Sequence, residues 1–306
     1  FSYITRFATG AQCQICNSIS STYSSIQSPM PELPEVETTR RGIEPHLKNR
    51  IIQDIIVRQP SLRWLVPDHM ASKYPGQKII GVIRRGKYLL IQTSSKDYIN
   101  ATILIHLGMS GSLRILEQPD LPGKHDHIDI LLDNNKLLRF HDPRRFGAFL
   151  DCPADEPLSH KLLAKLGPEP LSDDFSGEYL YQRSRNRTLS IKSFIMDSHV
   201  VVGLGNIYAT ETLFEAGIHP TRAAGKISRK RYASVVLQAK KIIDNAIQQG
   251  GTTLRDFVNV SGKPGYFKQQ LKVYGRENQP CIHCQTLIRR LKQNQRSSWY
   301  CPQCQH

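Results

Sequence analysis

Two cysteine pairs near the C-terminal end restrict the fold more than any other feature of this chain. Cys281 and Cys284 form one C-x2-C pair, Cys301 and Cys304 form a second, and 16 residues separate the pairs. This spacing is typical of a four-cysteine zinc site, in which four thiolates complete the tetrahedron and leave no open position for a substrate water. We therefore predict one structural Zn²⁺ and no organic cofactor. Two disulfide bonds are the alternative, although such pairing is unusual beside an otherwise intracellular composition.

The residues between the cysteine pairs predict a β-hairpin. The segments "LIRRLK" and "RSSWY" have the composition of two strands around residues 293–295, which places Arg296 beside the tip. The last 26 residues contain four Lys or Arg and no acid. An arginine at the tip of an acid-free hairpin is suited to bind a phosphate group.

The charge balance also points to an anionic partner. The 306 residues include 41 Lys or Arg and 26 Asp or Glu, which gives a net charge of +15. This excess favours a polyanion, most commonly nucleic acid, and a merely basic surface is the alternative. No segment approaches the ~18 apolar residues of a membrane span, so we expect no membrane partner.

Residues 51–150 have the composition of β-strands. Their branched, partly alternating apolar runs are broken by Gly, Asn and Asp, and "DNN" at residues 133–135 is the clearest hairpin signal. Several strands with short turns predict a β-sandwich. A leading helix should begin at Pro34 and end at Gly42 or Pro45, because proline suits a first helical turn and acidic residues follow it.

Helical patterns follow the proline- and acid-containing linker "DCPADEPLSH". Residues 172–174 can cap a helix that runs toward Arg183, a second helix should lie between Gly205 and Gly217, and residues 228–251 form a long amphipathic helix. The predicted fold class is therefore α+β. Its divisions are a leader at 1–29, a β-sandwich domain at 30–160, a helical domain at 161–280 and the zinc hairpin at 281–306.

Two turns have alternative interpretations. In "VGLGN" at residues 202–206, paired glycines let the backbone pass close to another group and Asn206 could help to hold a phosphate, but a simple helical hairpin explains the pattern equally well. In "DPRRFG", Arg144 and Phe146 could belong to a solvated turn. Together with Met109 of "LGMSG", they could instead form a wedge that enters a base stack.

The leader determines what Pro31 can do. Residues 1–29 are rich in serine and nearly uncharged, which is a disordered composition. We expect this segment to be non-native or removed, with Met30 as the true start and with Cys13 and Cys16 incidental. A proline nitrogen inside a chain is an amide without a proton, whereas a free N-terminal proline is a secondary amine with a pKa of about 8 that can attack a sugar carbon.

Taken together, the motifs resemble those of a known family. The stretches "PELPEVETTRRG", "RRGKYLL", "HLGMSGSLRIL", "KHDH", "DPRRFG", "LGPEPLSDDF", "VVGLGNIYATE", "GGTTLRDF", "GKPGYF" and the four-cysteine hairpin look like formamidopyrimidine-DNA glycosylases of the bacterial Fpg/Nei type. The resemblance runs from Pro31 to the C-terminus. Sister enzymes of the endonuclease VIII type share the Pro-Glu start and the zinc hairpin, but Leu33 favours the branch that acts on purine lesions.

The resemblance implies a role for each site residue. Pro31 would attack C1′ of the damaged nucleotide, and Glu32 would be the general acid that helps to open the sugar. Lys87 and Arg296 would serve the later eliminations and bind phosphates. The residues that would bind DNA are His125, Arg144, Arg187, Lys192 and Asn206, and those that would fill the gap left by the flipped base are Met109, Arg144 and Phe146.

The implied function is a bifunctional DNA glycosylase and abasic-site lyase in base excision repair. It would excise 8-oxoguanine and formamidopyrimidines from double-stranded DNA through a proline Schiff base followed by β,δ-elimination, as a cytoplasmic monomer with a helix-two-turn-helix domain. Two alternatives remain at this stage: a non-catalytic damage-binding protein, if the leader is retained, and an endonuclease VIII-type enzyme for pyrimidine lesions.

A serine in place of Cys281 tests the zinc prediction. The Cys281→Ser variant should lose the metal and most DNA affinity, because three thiolates no longer close the tetrahedron, while the β-sandwich stays folded. Metal analysis, circular dichroism and a DNA-binding titration measure the three quantities. Unchanged DNA affinity in the metal-free variant would contradict a structural zinc hairpin.

Overall fold

The computed structural model describes residues 30–95, 99–118, 120–153, 156–250 and 271–306, without the side chains of residues 99 and 100. The leader with Cys13 and Cys16 lies outside these ranges, as does the segment from Gly251 to Tyr266.

Eight strands build the first half of the chain. They are β1 (Ile52–Val57), β2 (Lys78–Arg85), β3 (Tyr88–Ser94), β4 (Ile99–His106), β5 (Ser112–Leu116), β6 (Asp126–Leu132), β7 (Leu137–His141) and β8 (Ala148–Cys152). They form two four-stranded antiparallel sheets with the orders β1-β6-β7-β5 and β2-β3-β4-β8. Buried side chains of both sheets belong to one apolar cluster, so the predicted β-sandwich is confirmed.

The turn "DNN" joins β6 to β7 as predicted. The Asn135 N–H donates to the Leu132 carbonyl at 3.1 Å. Asn135 has a φ of 62°, a left-handed conformation that asparagine tolerates better than most residues. The local turn chemistry therefore fixes the register of this hairpin.

The leading helix α1 (Leu33–Leu47) is longer than predicted. It continues through Gly42 and Pro45, so the prediction that one of these residues ends it was wrong. Pro45 removes one helical hydrogen bond, but Leu47 in the added turn is fully buried, and burial of a leucine contributes about 1.5–3 kcal/mol. Packing thus outweighs the local helix-breaking signal.

The second half of the chain is helical and ends in a hairpin. After the short α2 (Met70–Lys73) in the sandwich come α3 (Gly177–Ser184), α4 (Ile191–Ile195), α5 (Asn206–Glu215) and α6 (Arg229–Gln248), with two 3-10 turns at Pro157–Ser159 and Ala224–Lys226. The hairpin consists of β9 (Arg289–Gln293) and β10 (Arg296–Tyr300), paired antiparallel. Within the described residues, we find no helix with the length and hydropathy needed to cross a membrane.

Helix α3 begins later than the sequence predicts. Its N-cap is Ser176, whose side chain accepts a hydrogen bond from the Tyr179 N–H at 3.1 Å, so the cap predicted at residues 172–174 was wrong. A Cβ on Gly177 would lie 2.8 Å from the backbone of Ala233 in α6. The tight packing of α3 on α6 therefore sets the start of the helix, and a local sequence pattern does not reveal it.

One apolar core joins the sandwich to the helices. Leu33, Val36 and Ile43 of α1 are buried in it together with residues of both sheets and of α3 to α6. Helix α1 packs against β2 and β5 and also against α6. The two halves of the molecule are therefore fixed relative to each other by the helix that follows Pro31.

The start of α1 lies on the turn between α4 and α5. The Leu33 N–H donates to the Gly203 carbonyl at 3.4 Å. Gly203 has a φ of +89°, and a Cβ there would lie 2.5 Å from Cδ1 of Leu33. Glycine at 203 serves both the backbone conformation and the close approach of α1.

Replacement of Gly203 by alanine tests this contact, with Gly76→Ala as the matched control. Gly76 has a similar φ of +83°, but no atom lies within 4 Å of the position that a Cβ would take there, so both variants carry the same backbone strain. The overpacking against Leu33 should make Gly203→Ala less stable than Gly76→Ala by about 1–3 kcal/mol. Chemical denaturation measures the difference, and equal losses would show that Leu33 contributes nothing.

Candidate active site

The carboxylate of Glu32 is bound by the N-terminus of α5. Its oxygens accept hydrogen bonds from the N–H groups of Gly205 at 2.8 Å, Ile207 at 3.0 Å and Tyr208 at 3.4 Å. Burial raises the pKa of Glu32, while nearby Lys87 and the backbone N–H donors oppose the rise. A carboxyl group with a raised pKa is suited to act as a general acid near neutral pH.

Gly205 makes this contact possible. A Cβ on Gly205 would lie 2.2 Å from the carboxyl carbon of Glu32, so no larger residue fits. The glycines of "VGLGN" do let the backbone approach another group closely, as one of the two interpretations held. That group is the start of α1, with Leu33 on Gly203 and Glu32 on Gly205.

A second glutamate, Glu35, binds the backbone of Glu32. The Glu32 N–H donates to Oε2 of Glu35 at 2.9 Å, and the Tyr208 hydroxyl donates to Oε1 of Glu35 at 2.7 Å. From the sequence, the acidic residues after Pro34, Glu35 among them, indicated only a favourable interaction with the helix dipole, and Tyr208 was missed. The spacing of Glu35 three residues after the N-cap is that of a capping box, which could have revealed the Glu35 contact.

Pro31 is buried directly before this acid. Its nitrogen is an amide in a chain that includes residues 1–29, for the covalent reason given above. The structure therefore places the predicted nucleophile next to the predicted acid, at the point where α1 meets α5.

Lys87 follows a glycine in the turn between β2 and β3. Gly86 has a φ of +57°. Burial lowers the pKa of the Lys87 amine, the Glu32 carboxylate opposes this change, and Arg296 reinforces it. Lys87 of the sandwich is therefore electrostatically coupled both to Glu32 and to Arg296 of the hairpin.

Lys192, Asn206 and Arg296 line one cleft of about 280 Å³. They come from α4, from the first turn of α5 and from the start of β10. Burial lowers the pKa of Lys192 to about 7, with Glu32 opposing and Arg296 reinforcing the shift. Three residues that are distant in sequence thus meet in one positively charged cleft.

The hairpin tip is fixed against α4 by polar contacts. The Lys192 amine donates to the Ser298 hydroxyl at 2.7 Å and to the Ser297 carbonyl at 3.1 Å. The Asn294 side chain donates to the Ser193 hydroxyl at 3.1 Å. Arg296 lies beside the tip as predicted, and its side chain is exposed.

The four cysteine sulfurs lie within 4.8 Å of one another. Zinc–sulfur bonds of about 2.3 Å in a tetrahedron separate neighbouring sulfurs by about 3.8 Å. The Sγ atoms of Cys281 and Cys304 are 3.9 Å apart, and those of Cys284 and Cys301 are 3.4 Å apart. The four donors therefore fit one Zn²⁺. Trp299 of β10 and Phe214 of α5 belong to the apolar cluster that includes Cys281 and Cys301.

The turns that carry Met109, Arg144 and Phe146 lie against each other. A Cβ on Gly108 would lie 2.4 Å from the carbonyl carbon of Phe146. The Arg144 guanidinium carbon lies 5.0 Å from the centre of the Phe146 ring. Phe146 is 44% exposed, which is unusual for a phenylalanine that serves only packing.

His125 and Arg187 lie on other elements. The His125 ring contacts the edges of the His127 and His141 rings, and its carbonyl accepts from the Asp142 N–H at 3.0 Å, close to the Arg144 turn. Arg187 is exposed in the turn after α3. Within the described ranges, no hydrogen bond or ion pair links the Arg187 side chain to the cleft.

Three successive segments match models of one enzyme family. Residues 30–149 match the formamidopyrimidine-DNA glycosylase N-terminal domain, residues 166–258 match the formamidopyrimidine-DNA glycosylase H2TH domain, and residues 278–306 match the zinc finger found in FPG and IleRS. The formamidopyrimidine-DNA glycosylases of Alcanivorax borkumensis and Pseudomonas putida are 53% and 54% identical to this chain over 277 and 276 residues. Each alignment covers 90% of this chain and 100% of the relative. The chain belongs to the formamidopyrimidine-DNA glycosylase family.

Solved structures of glycosylases from this family have the same fold. A Lactococcus lactis FPG mutant in complex with DNA containing Fapy-dG has a TM-score of 0.83 at 31% identity, and the alignment covers 90% of this chain and 100% of that one. The MutM (FPG) protein of Thermus thermophilus has a TM-score of 0.79 at 32% identity, with 90% and 98% covered. The predicted α+β fold is thereby confirmed. The match to the H2TH domain confirms the helix-two-turn-helix region, and the zinc-finger match together with the four clustered cysteines confirms one structural zinc.

Two residues of this glycosylase were missed by sequence reasoning. Glu211 of α5 accepts the N–H groups of Lys272 and Val273 at 3.0 Å and of Tyr274 at 2.8 Å. Burial, together with the Glu32 carboxylate, raises the pKa of the Tyr274 hydroxyl to about 12. Glu211 therefore anchors Tyr274 near the Glu32 carboxylate, through contacts between segments far apart in the sequence that no local pattern signals.

The lowered pKa of Lys192 predicts a pH-dependent affinity for DNA. Its amine is charged mainly below pH about 7, and a phosphate in the cleft would raise its pKa, so binding takes up a proton and weakens as pH rises above 7. Lys192→Arg stays charged and should flatten the pH profile. Lys192→Met should weaken binding at pH 6.5 by roughly 10-fold, the value of one charge-assisted hydrogen bond.

Fluorescence anisotropy with a duplex containing a stable abasic-site analogue measures these affinities. Glu32 and Arg296 are the charged groups coupled to Lys192, and Asp197 lines the same cleft, so the salt concentration is held constant across the pH range. Lys136→Met, which removes a lysine paired with Glu117 at 2.6 Å on the sandwich, controls for the loss of one charge. Parallel profiles for the wild type and Lys192→Arg would contradict the prediction.

Proposed function

We propose that this chain is a DNA glycosylase and abasic-site lyase of base excision repair that removes oxidised purines. The observation that carries the proposal is the buried Glu32 carboxyl group on the N-terminus of α5, next to Pro31 and electrostatically coupled to Lys87 and Lys192. An acid and an adjacent amine nucleophile surrounded by cations match the needs of a reaction on a polyanionic substrate.

The substrate class follows from the family. Structures similar to this chain include a MutM complex with DNA containing carbocyclic 8-oxo-G, at 32% identity and a TM-score of 0.82, and a Lactococcus lactis Fpg complex with DNA containing an abasic site. We extend these substrates to the present chain, and Leu33 in the opening motif supports the purine branch. We propose that this reaction takes place in the cytoplasm. The proposed domain limits are those predicted from the sequence, at 30–160, 161–280 and 281–306.

In protein that begins at Pro31, the free amine of this residue starts the reaction. Its nitrogen forms a bond to C1′ of the damaged nucleotide, and the base leaves with the electron pair of the glycosidic bond. Glu32 gives its proton to the ring oxygen, so that the sugar opens and an iminium forms as the amine proton is lost. The iminium acidifies the C2′–H, whose removal expels the 3′ phosphate, and a second proton loss expels the 5′ phosphate.

The cations around Glu32 and in the cleft bind the phosphates around the reacting sugar. Lys87 and Arg296 serve the two eliminations, while Lys192 and Asn206 hold the backbone in register. Burial lowers the pKa values of Lys87 and Lys192 and so favours their neutral amines. A bound phosphate has the opposite effect and favours the protonated, positively charged amine. The zinc supplies rigidity to the hairpin that carries Arg296.

Side chains of two neighbouring turns of the sandwich stabilise the DNA from which the nucleotide is extruded. A base must leave the stack before its glycosidic bond can be attacked, which costs a few kcal/mol. Met109, Arg144 and Phe146 fill the resulting gap, and stacking of Arg144 on Phe146 prepares the wedge. His125 and Arg187 bind the DNA outside this gap.

Borohydride trapping tests the nucleophile. With an 8-oxoguanine duplex, protein that begins at Pro31 should give a covalent adduct at Pro31, whereas protein that retains residues 1–29 should bind the duplex and give none. Glu32→Gln in the shorter protein should slow trapping by roughly 100-fold or more, the usual contribution of a general acid. Gel analysis and peptide mass spectrometry locate the adduct.

A thymine glycol duplex in parallel reactions distinguishes the purine branch from the pyrimidine branch. Faster excision of thymine glycol than of 8-oxoguanine would assign the chain to the endonuclease VIII type. Binding without any adduct by protein that begins at Pro31 would overturn the proposal and leave a damage-binding protein.

A further inference from the structure

We infer that Glu169, which follows the linker between the sandwich and the helical half, is a positioning residue for Lys87. The inference rests on the proposed function, because it concerns the amine assigned to the eliminations. Glu169 is not among the residues that line the cleft. It acts through the turn that carries Lys87.

The Glu169 carboxylate binds the three residues before Lys87. One oxygen accepts from the Gly86 N–H at 2.7 Å and from the Arg85 guanidinium at 2.8 Å, and the other accepts from the Arg84 guanidinium at 2.6 Å. Three donors on consecutive residues fix the end of β2 and the first half of the turn. The Lys87 backbone follows directly after the last of these donors.

Val202 packs against Gly86 in the same turn. A Cβ on Gly86 would lie 2.1 Å from a methyl carbon of Val202, and Gly86 has a φ of +57°. Val202 precedes the glycines that receive Leu33 and Glu32. The lysine turn and the acid are therefore positioned by one short connection between α4 and α5.

The two arginines extend this arrangement. Arg85 also donates to the carbonyls of Leu166 and Gly167 at 2.9 and 2.6 Å. Arg84 also donates to Glu37 of α1 at 3.1 Å. Through Arg84, Glu169 thus links the turn of Lys87 to α1, the helix that follows Pro31 and Glu32.

Loss of the Glu169 charge should displace the turn. The Arg84 side chain is 13% exposed and that of Glu169 is 24% exposed. Without the Glu169 charge, the guanidinium groups of Arg84 and Arg85 would lose an ion-pair partner where little water can replace it. A displacement of about 1 Å at a reacting group can lower a rate by roughly 100-fold. The effect should fall on the steps that need Lys87 and spare the attack by Pro31.

A double-mutant cycle with Glu169→Gln and Lys87→Met tests the inference in protein that begins at Pro31. Glutamine keeps the shape of the glutamate side chain without its charge, so Glu169→Gln should shift the ratio of β-elimination to δ-elimination products from that of the wild type by on the order of 10-fold to 100-fold. Borohydride trapping should stay within roughly 3-fold of the wild type, since the Pro31 attack does not use Lys87. In the double variant the ratio of products should equal that of Lys87→Met alone, because Glu169 acts through Lys87.

Asp151→Asn is the matched control. Asp151 also binds three side chains, those of Lys73, Tyr74 and His69, but it lies on β8 at the opposite edge of the sheet from β2. Thermal unfolding compares the stability lost in the two variants. Asp151→Asn should be destabilised yet keep the wild-type ratio of elimination products.

Val202→Ala is a second variant that keeps every ion pair of Glu169 and loosens the packing on Gly86. It should change the product ratio in the same direction as Glu169→Gln, and it tests the inference if Glu169→Gln does not fold. A wild-type product ratio in both variants, or losses that add to that of Lys87→Met, would overturn the positioning role. Absence of trapping in the wild type would instead refute the proposed function, so the two failures are distinguishable.

Discussion

The contact between Glu32 and the N-terminus of α5 is the interaction on which the rest of the structure depends. It joins residues 173 positions apart in sequence, and it serves the fold and the chemistry at once. The N–H groups of α5 stabilise a carboxylate, while burial favours its protonated form. The balance leaves an acid whose pKa lies above the usual range and whose position is fixed by the backbone. A side chain held in this way needs little reorganisation when the substrate reacts.

This contact explains why the sandwich and the helices share one core. An acid on α1 and its donors on α5 keep their geometry only if the two elements are immobile relative to each other. The glycines at 203 and 205 let α1 approach the α4–α5 connection, and Leu33, Val36 and Ile43 bury its apolar face. Glu169 and Val202 then attach the turn of Lys87 to the same connection. The sandwich and the helical half are thus separate in sequence, while residues of both surround Glu32.

The sequence predicts those features whose cause is local. The strands follow from alternating apolar residues, the β6–β7 turn from "DNN", and the zinc site from two C-x2-C pairs. Pro45 and Ser176 were misjudged because packing of Leu47 and of Gly177 decides the helix limits, and neither contact is visible in a short window. Glu211 and Tyr208 were missed for the same reason. Their partners lie across the fold, so no spacing rule connects them.

The electrostatics around Glu32 and the adjoining cleft favour a bound DNA backbone over solvent. Burial lowers the pKa values of Lys87 and Lys192, and Arg296 adds repulsion to both. Clustered, poorly hydrated cations destabilise a folded protein, and the Glu32 carboxylate offsets only part of this cost. A phosphate backbone would supply the missing negative charge at several points and favour the protonated amines again. The clustered cations therefore lower the stability of the free protein and raise its affinity for DNA. Such an arrangement is expected where buried charges serve a ligand and not the fold.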